Sequence, residues 1–279
     1  MPPSDTTSSS DPLSSAPVAP PLRPKLRRST LRTVAALMLR EMATRYGAKP
    51  GGYAWAIFEP LGTLFILSLA FSLLLRSPSL GESFILFYAT GYLPFNLFNG
   101  TAGMLTAAIA FSKSLLKYPA VGWIDALLAR FILNALTLLL ISYVLLVAIL
   151  WFTGTRTVID MPPVIGAFVM AMALGFGIGT FNCAMRGLFP VYGTVWTMLT
   201  RPLLIVSAVL YIMEDLPNGA QQVLWYNPLA HITGLARTGF YPVYNPDYIN
   251  PAYVMAWALI PMAMGLLLLR KHHLAILNR

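Results

Sequence analysis

The stretch LLARFILNALTLLLISYVLLVAILWF, residues 127–152, decides the fold of this chain. Its 26 residues would extend about 39 Å as an α-helix, which exceeds the roughly 30 Å hydrocarbon core of a bilayer. Arg130, near one end, is its only charged residue. The run is too long for a β-strand and lacks the two-residue alternation of a membrane barrel. It therefore predicts a transmembrane helix.

Five further apolar stretches are long enough to span, at about residues 53–75, 83–110, 163–185, 190–213 and 252–269. Of the 279 residues, 57% are apolar and 10% are charged, whereas soluble domains carry about 25% charged residues. The single cysteine, Cys183, lies in an apolar run without a disulfide partner or metal-ligand spacing. We predict an all-α polytopic membrane protein with six transmembrane helices and no metal site.

The basic residues set the predicted orientation. Of the 19 lysines and arginines, 15 fall on the side of the two termini and three on the opposite side, at Arg76, Arg156 and Arg237. The positive-inside rule then places both termini in the cytoplasm. These loops account for the net charge of +9, so we expect no nucleic-acid partner. Residues 1–29, rich in proline and serine, predict a disordered cytoplasmic tail rather than a signal peptide.

Residues 30–50 contain an amphipathic segment, TLRTVAALMLREMATRY at 30–46. At about 100° per residue, the apolar residues from Leu31 to Met42 share one face, and Arg40 and Glu41 lie on the other. Leu37 is the one misfit. The pattern predicts a helix in the plane of the membrane interface, acting either as a surface anchor or as a docking site for a cytoplasmic partner.

The cytoplasmic loop 111–126, FSKSLLKYPAVGWIDA, mixes apolar and aromatic residues with Lys113, Lys117 and Asp125. A connection that only turned the chain could be shorter and more polar. The loop predicts a short half-apolar helix that either inserts into a groove of a partner or lies on lipid.

Residues 214–250 form the longest outer segment and carry six aromatic residues between positions 225 and 248. Residues 228–241 are apolar but, at roughly 21 Å of helix, too short to cross a bilayer. We predict a re-entrant helix pair or a lid. Its aromatic rings suit either the faces of sugars or the headgroup belt.

Arg201 lies about 11 residues into the predicted span 190–213, near mid-depth. A charge at this depth is costly unless it faces a polar cavity or a carboxylate. The candidate partners are Glu59, near the inner end of the first span, or an anionic substrate.

No catalytic motif is present: the phosphate loop GxxxxGK[ST], GxSxG and HExxH are all absent from the sequence. Intramembrane carboxylates, typical of ion-coupled carriers, are also scarce. An enzyme acting on lipid-linked sugars would have to use Glu214, Asp215 and His231, whose spacing matches no acid–base pair. A passive channel or structural subunit is the remaining alternative to a transporter.

Four segments resemble the permease subunits of type-2 ABC exporters, in the branch that exports capsular polysaccharide in Gram-negative bacteria. They are LMLREMATRYGAKPGGYAWAIFEPLG at 37–62, FSKSLLKYPAVGWIDALLARFI at 111–132, RPLLIVSAVLYIMEDLP at 201–217 and WYNPLAHITGLARTGFYP at 225–242. The resemblance covers about residues 30–273, that is, everything except the tail.

The resemblance implies a homodimer in the bacterial inner membrane, docked on two copies of an ATP-binding subunit. ATP and Mg²⁺ would bind that subunit, and this chain would hold no cofactor. A lipid-linked acidic polysaccharide would cross at the dimer interface and pass to a periplasmic adaptor, a polysaccharide co-polymerase, and an outer-membrane pore. The alternative substrate is another lipid-linked glycan, of the O-antigen or teichoic-acid type.

The resemblance assigns roles to residues of two regions, the contacts to the ATP-binding subunit and the periplasmic gate, and the mid-depth position of Arg201 predicts the third, the substrate path. The contacts to the ATP-binding subunit would be Arg40, Glu41, Arg45, Tyr46, Lys113, Lys117 and Asp125. The substrate path would include Arg201 and Glu59. The periplasmic gate would comprise Trp225, Tyr226, Asn227, Pro228, His231, Arg237, Phe240 and Tyr241.

Overall fold

The computed structural model describes residues 30–46, 52–117, 121–154 and 158–278. Within these ranges the chain is helical, with one 3₁₀ turn at Met213–Asp215 and no β-strand. The predicted tail, residues 1–29, lies outside the described residues. In chain order the helices are α1 (Thr30–Tyr46), α2 (Gly52–Leu74), α3 (Phe84–Thr106), α4 (Ala108–Phe111), α5 (Lys113–Leu116), α6 (Trp123–Thr153), α7 (Met161–Leu188), α8 (Tyr192–Thr200), α9 (Leu203–Val206), α10 (Asn218–Trp225), α11 (Pro228–Phe240) and α12 (Pro251–Asn278).

Helix α3 lies at the centre of the bundle, packed against α2, α6, α7 and α11. Of its 23 residues, 16 are buried. Two of its threonines donate to carbonyls of their own helix, Thr90 to Phe87 at 2.8 Å and Thr106 to Ala102 at 2.7 Å. A helix enclosed by other helices needs no apolar surface toward lipid, which explains why α3 can be more polar than α2 and α6.

Helices α7 and α12 cross at very short range because two glycines lie at the contact. A β-carbon at Gly177 would meet the backbone of Ala258, and one at Gly265 would meet the backbone of Thr180 and Phe181. Small residues allow helices to approach closely in membranes, where packing contributes most of the association energy. The two helices therefore form the most closely packed pair of the bundle.

Four helices of the described chain are long and apolar enough to cross a bilayer, over Ala54–Leu74, Trp123–Thr153, Met161–Leu188 and Pro251–Leu277. Helix α3, at about 34 Å, is long enough but too polar to be counted with them. The chain is thus an all-helical, multi-pass membrane protein, and the count of six spans stays a prediction.

The fifth predicted span, residues 190–213, is wrong as a continuous helix. Helix α8 ends at Thr200, α9 is a single turn, and the chain leaves the helical conformation at Ser207. The stretch 83–110 is also interrupted, because α3 ends at Thr106 and α4 follows after Ala107. In the loop 111–126, α5 is a single turn and α6 already begins at Trp123.

The bundle has two ends. At the α1 end, Glu41 of α1 meets Arg130 of α6, Trp123 packs against His273 of α12, and Gly187 lies against Ile276. At the opposite α11 end, Gly81 lies against Tyr241, and the N–H of Asp160 donates to the carbonyl of Gly239 at 2.9 Å. Helix α1 and the last turns of α12 thus lie at one end, as a shared side for both termini requires.

Candidate functional site

Residues 207–211 connect α9 to the 3₁₀ turn without forming a helix, and we call them the unwound segment. Ala208 is completely buried and has φ +54°, a left-handed conformation that few non-glycine residues adopt. A break in a helix leaves carbonyl groups without their usual partners, and in a membrane these must be satisfied by other protein groups. The hydrogen bonds of this segment therefore show what holds it.

Side chains at and after the start of α11 bind the unwound segment. The Asn227 Nδ2 donates to the carbonyl of Val206 at 3.0 Å, just before the segment. Further along α11, the Thr233 Oγ1 donates to the carbonyl of Ser207 at 3.0 Å. Side chains of α11 and of its capping residue thus replace the hydrogen-bond donors that an unbroken helix over 190–213 would have supplied.

Arg237, one turn beyond Thr233 on α11, makes the largest set of these contacts. Its Nη1 donates to the carbonyls of Ala208 at 2.8 Å and Tyr211 at 2.7 Å, and its Nη2 donates to Val209 at 2.8 Å. The side chain is completely buried, and its guanidinium carbon lies 4.3 Å from the centre of the Phe87 ring. The planar fork of arginine suits such a set of acceptors, whereas lysine provides only a point charge.

His231 ties three helices together at the α11 end. Its Nε2 lies 2.8 Å from the carbonyl of Trp225 at the end of α10, and its Nδ1 accepts the N–H of Asn250 at 3.2 Å, just before α12. These two bonds require the neutral tautomer with the proton on Nε2. The rings of Trp225, Tyr248 and Tyr253 surround the imidazole. Burial lowers the pKa of His231 from its usual 6.5.

This lowered pKa predicts a loss of stability in acid. In the unfolded chain His231 binds a proton near pH 6.5, whereas the folded protein resists that proton. The contribution of the neutral imidazole is therefore complete above pH 6.5 and declines as pH falls toward the lower folded pKa. We expect the melting temperature to fall between pH 7.5 and 5 more steeply in the native protein than in His231→Gln, whose amide can make both bonds without titrating.

The matched control is His272→Gln at the α1 end, which should keep the native slope. The same slope in the native protein and in His231→Gln would contradict the assignment.

An open groove of about 750 Å³ lies beside His231 and the aromatic rings that surround it. Its lining combines the Glu214 carboxylate, the Gln222 amide and the rings of Trp225, Tyr226 and Tyr248. The Tyr244 hydroxyl donates to Glu214 Oε2 at 3.1 Å and lies 3.2 Å from the Tyr248 hydroxyl. Burial, reinforced by the neighbouring Tyr248 and Glu214, raises the pKa of Tyr244, so its hydroxyl keeps its proton as a donor.

The predicted gate residues differ in exposure. Tyr226 is exposed, whereas Trp225, Asn227 and Pro228 are half-buried. Pro228 occupies the first turn of α11, where its missing N–H costs nothing. The other four are buried: His231, Arg237, Phe240 and Tyr241. Burial raises the pKa of Tyr241 to about 12. The buried set fixes α11 in place, while the rings of Trp225 and Tyr226 line the groove.

At the α1 end, a buried ion pair joins α1 to the bundle. Arg130 Nε donates to Glu41 Oε1 at 2.8 Å, with 6% and 7% of the two side chains exposed. Arg130 Nη1 also donates to the carbonyl of Met104 at 3.2 Å, and its guanidinium carbon lies 4.3 Å above the ring of Phe111. This one arginine therefore contacts α1, α3, α4 and, through its own backbone, α6.

The two acidic residues predicted to contact the ATP-binding partner, Glu41 and Asp125, have partners within the chain. Glu41 is held by Arg130, and the Asp125 carboxylate accepts the N–H of Gly122 at 3.0 Å, capping the start of α6. Both are buried in the isolated chain. Arg40 and Lys117 are exposed and Lys113 is partly exposed. The side chains of Arg45 and Tyr46 lie outside the described part of the structure.

Arg201 and Glu59 are both exposed on the surface of the chain. Arg201 follows the last residue of α8, where the break with Pro202 begins, and Glu59 precedes Pro60 within α2. The structure does not bring them together: among the described residues, the one ion pair is Glu41–Arg130. An Arg201–Glu59 pair within one chain is therefore not formed.

Sequence reasoning missed the roles of Arg130 and Thr233. Arg130 was counted only as an orienting charge, although a lone arginine inside an apolar helix signals a buried partner. Thr233 carried no pattern that could have singled it out. Within the described ranges, no group of three or more His, Cys, Asp or Glu residues is placed to hold a metal ion.

Residues 32–241 match the family described as ABC-2 type transporter. The chain is 30% identical over 247 residues to the polysialic acid transport protein KpsM of Escherichia coli, covering 88% of this chain and 95% of that protein. It is 28% identical over 243 residues to the capsule polysaccharide export inner-membrane protein BexB of Haemophilus influenzae, with 86% and 91% covered. The corresponding protein CtrC of Neisseria meningitidis serogroup B is 25% identical over 240 residues, with 86% and 91% covered.

Proposed function

Because the chain belongs to the ABC-2 type transporter family, we propose that it is the membrane permease subunit of an exporter for capsular polysaccharide. The observation that carries the proposal is the end-to-end similarity to transport proteins for such polymers, 95% of KpsM being covered. The substrate is a lipid-linked acidic polysaccharide, and the chain acts in the bacterial inner membrane with both termini in the cytoplasm.

ATP is hydrolysed on a separate subunit, two copies of which dock at the α1 end of a permease homodimer. The exposed cations of this end, Arg40 and Lys117, together with Lys113, form the docking surface. Glu41, Asp125 and Arg130 lie behind that surface and transmit its movement into α3 and α6. The polymer crosses between the two copies and leaves past α10 and α11 to a periplasmic adaptor and an outer-membrane pore.

Co-purification tests the docking surface. We expect Arg40→Glu combined with Lys117→Glu to reduce the ATP-binding subunit recovered with this chain by roughly tenfold or more, because like charges across an interface cost several kcal/mol. The readout is the ratio of the two subunits, and the ATPase activity, after mild extraction from native membranes.

The matched control is Arg76→Glu, an exposed arginine beyond the far end of α2, which should leave the ratio unchanged. Equal recovery with the docking variant would exclude this surface. Absence of any nucleotide-binding partner from the native chain would contradict the proposed function itself.

A further inference from the structure

Glu59 and Arg201 are lone charges on otherwise apolar exposed faces. Around Glu59, α2 exposes large apolar side chains, among them Trp55, Phe58 and Ile66. Around Arg201, the exposed apolar side chains include Met198, Leu199 and Ile205. Neither charge has an ion-pair partner among the described residues. A charge on such a face is costly against hydrocarbon, so each requires a partner from outside the chain.

The two charges lie at similar depth. Helix α2 follows α1 and starts at Gly52, and α8 starts at Tyr192, just after the turn of α7 that lies against Ile276 at the α1 end. At 1.5 Å per residue, Glu59 lies about 11 Å beyond the start of α2 and Arg201 about 14 Å beyond the start of α8. Both helices run away from the α1 end. The difference of about 3 Å, two residues of helical rise, is within the reach of two long side chains.

We propose that Glu59 of one copy pairs with Arg201 of a second copy, and that α2 of each copy packs against α8–α9 of the other. This inference rests on the homodimer of the proposed function. A two-fold axis repeats each contact, so one pairing satisfies both lone charges of both chains. The apolar side chains on both faces supply the surrounding contact, and excluding lipid strengthens the ion pair.

Charge reversal tests the pairing. Glu59→Arg and Arg201→Glu should each lower the dimer association constant by roughly tenfold or more, because each places like charges together. The double variant restores the attraction and should recover most of the loss. Glu59→Gln with Arg201→Gln serves as a second, uncharged pair if a reversed variant fails to fold. The readout is the monomer–dimer ratio of the chain in nanodiscs by native mass spectrometry.

Cross-linking tests the proximity of the two positions directly. The second, symmetry-related contact of the dimer keeps its native Glu59 and Arg201 in this experiment. In a Cys183→Ser background, a chain with Glu59→Cys and one tag is co-expressed with a chain carrying Arg201→Cys and another tag. A short bis-maleimide should join the two tags. The matched control, Arg76→Cys in place of Arg201→Cys, lies beyond the far end of α2 and should not be joined.

The outcomes separate this pairing from the proposed function. A stable dimer with no Glu59–Arg201 cross-link and no rescue by the double variant overturns the pairing and leaves the homodimer standing. A chain that stays monomeric even with the ATP-binding subunit bound overturns both. An intact dimer in which Arg201→Glu stops export, without rescue by Glu59→Arg, overturns the pairing in favour of contact between Arg201 and the polymer.

Discussion

Arg237→Met is expected to lower the free energy of unfolding by about 3–5 kcal/mol, because each unsatisfied buried carbonyl costs about 1–3 kcal/mol. The variant leaves three carbonyls, of Ala208, Val209 and Tyr211, without donors. Removing a buried charge offsets part of the loss. Arg237→Lys should be intermediate, since an ammonium cannot reproduce the planar fork.

Two measurements check this expectation. The melting temperature in nanodiscs should fall in the order native, Arg237→Lys, Arg237→Met. Hydrogen exchange at the amides of residues 207–212 should accelerate before exchange elsewhere in the chain. Arg270→Met, an exposed arginine near the end of α12, is the control and should change neither quantity. Unchanged exchange in Arg237→Met would show that the unwound segment keeps its shape without these bonds.

Breaking the Glu41–Arg130 pair should cost a similar amount. Glu41→Ala or Arg130→Met leaves a buried charge without its partner, which typically costs about 3–5 kcal/mol. The double variant Glu41→Leu with Arg130→Met removes both charges together, and apolar replacements of buried pairs are often neutral or stabilising. We therefore expect each single variant to melt early and the double variant to recover most of the stability.

Export separates two roles of this pair. If the pair transmits movement from the docking surface, the stable double variant should still export poorly while binding the ATP-binding subunit normally. The control is Glu82→Ala, an exposed acidic residue just before α3, which should affect neither stability nor export. Full export by the double variant would assign the pair to stability alone.

The face of α1 that meets the bundle could not be read from the helical wheel. The wheel places Leu31, Leu39 and Met42 on the apolar face, and all three are exposed on the chain. The bundle buries Val34 of that face but also Glu41 of the polar face, and the misfit Leu37 lines a small groove with Phe111 and Ala129. A helix at a membrane interface meets lipid, water and protein, and a two-class pattern cannot distinguish lipid from a protein neighbour.

The positions of the helices were easier to predict than the break within the fifth predicted span, residues 190–213. Residues 190–213 are apolar almost throughout, which predicts one helix. The break is stabilised by Asn227, Thr233 and Arg237, which lie 21 to 29 residues further along the chain than the carbonyls they bind. Such contacts are not visible in a local window. Asp125, in contrast, was recoverable, because an acidic residue at the third helical position is a known start signal.

The carbonyl oxygens of residues 206–209 and 211 all point to donors on α11 or on the residue that caps it, since Ser207 is reached by Thr233 and its neighbours by Asn227 and Arg237. With α11 in this position, each of these oxygens accepts a hydrogen bond from a protein donor. A rigid displacement of α11 would uncover the whole row of oxygens at once, and water would have to enter to solvate them. Hydration of these oxygens and movement of α11 are therefore coupled.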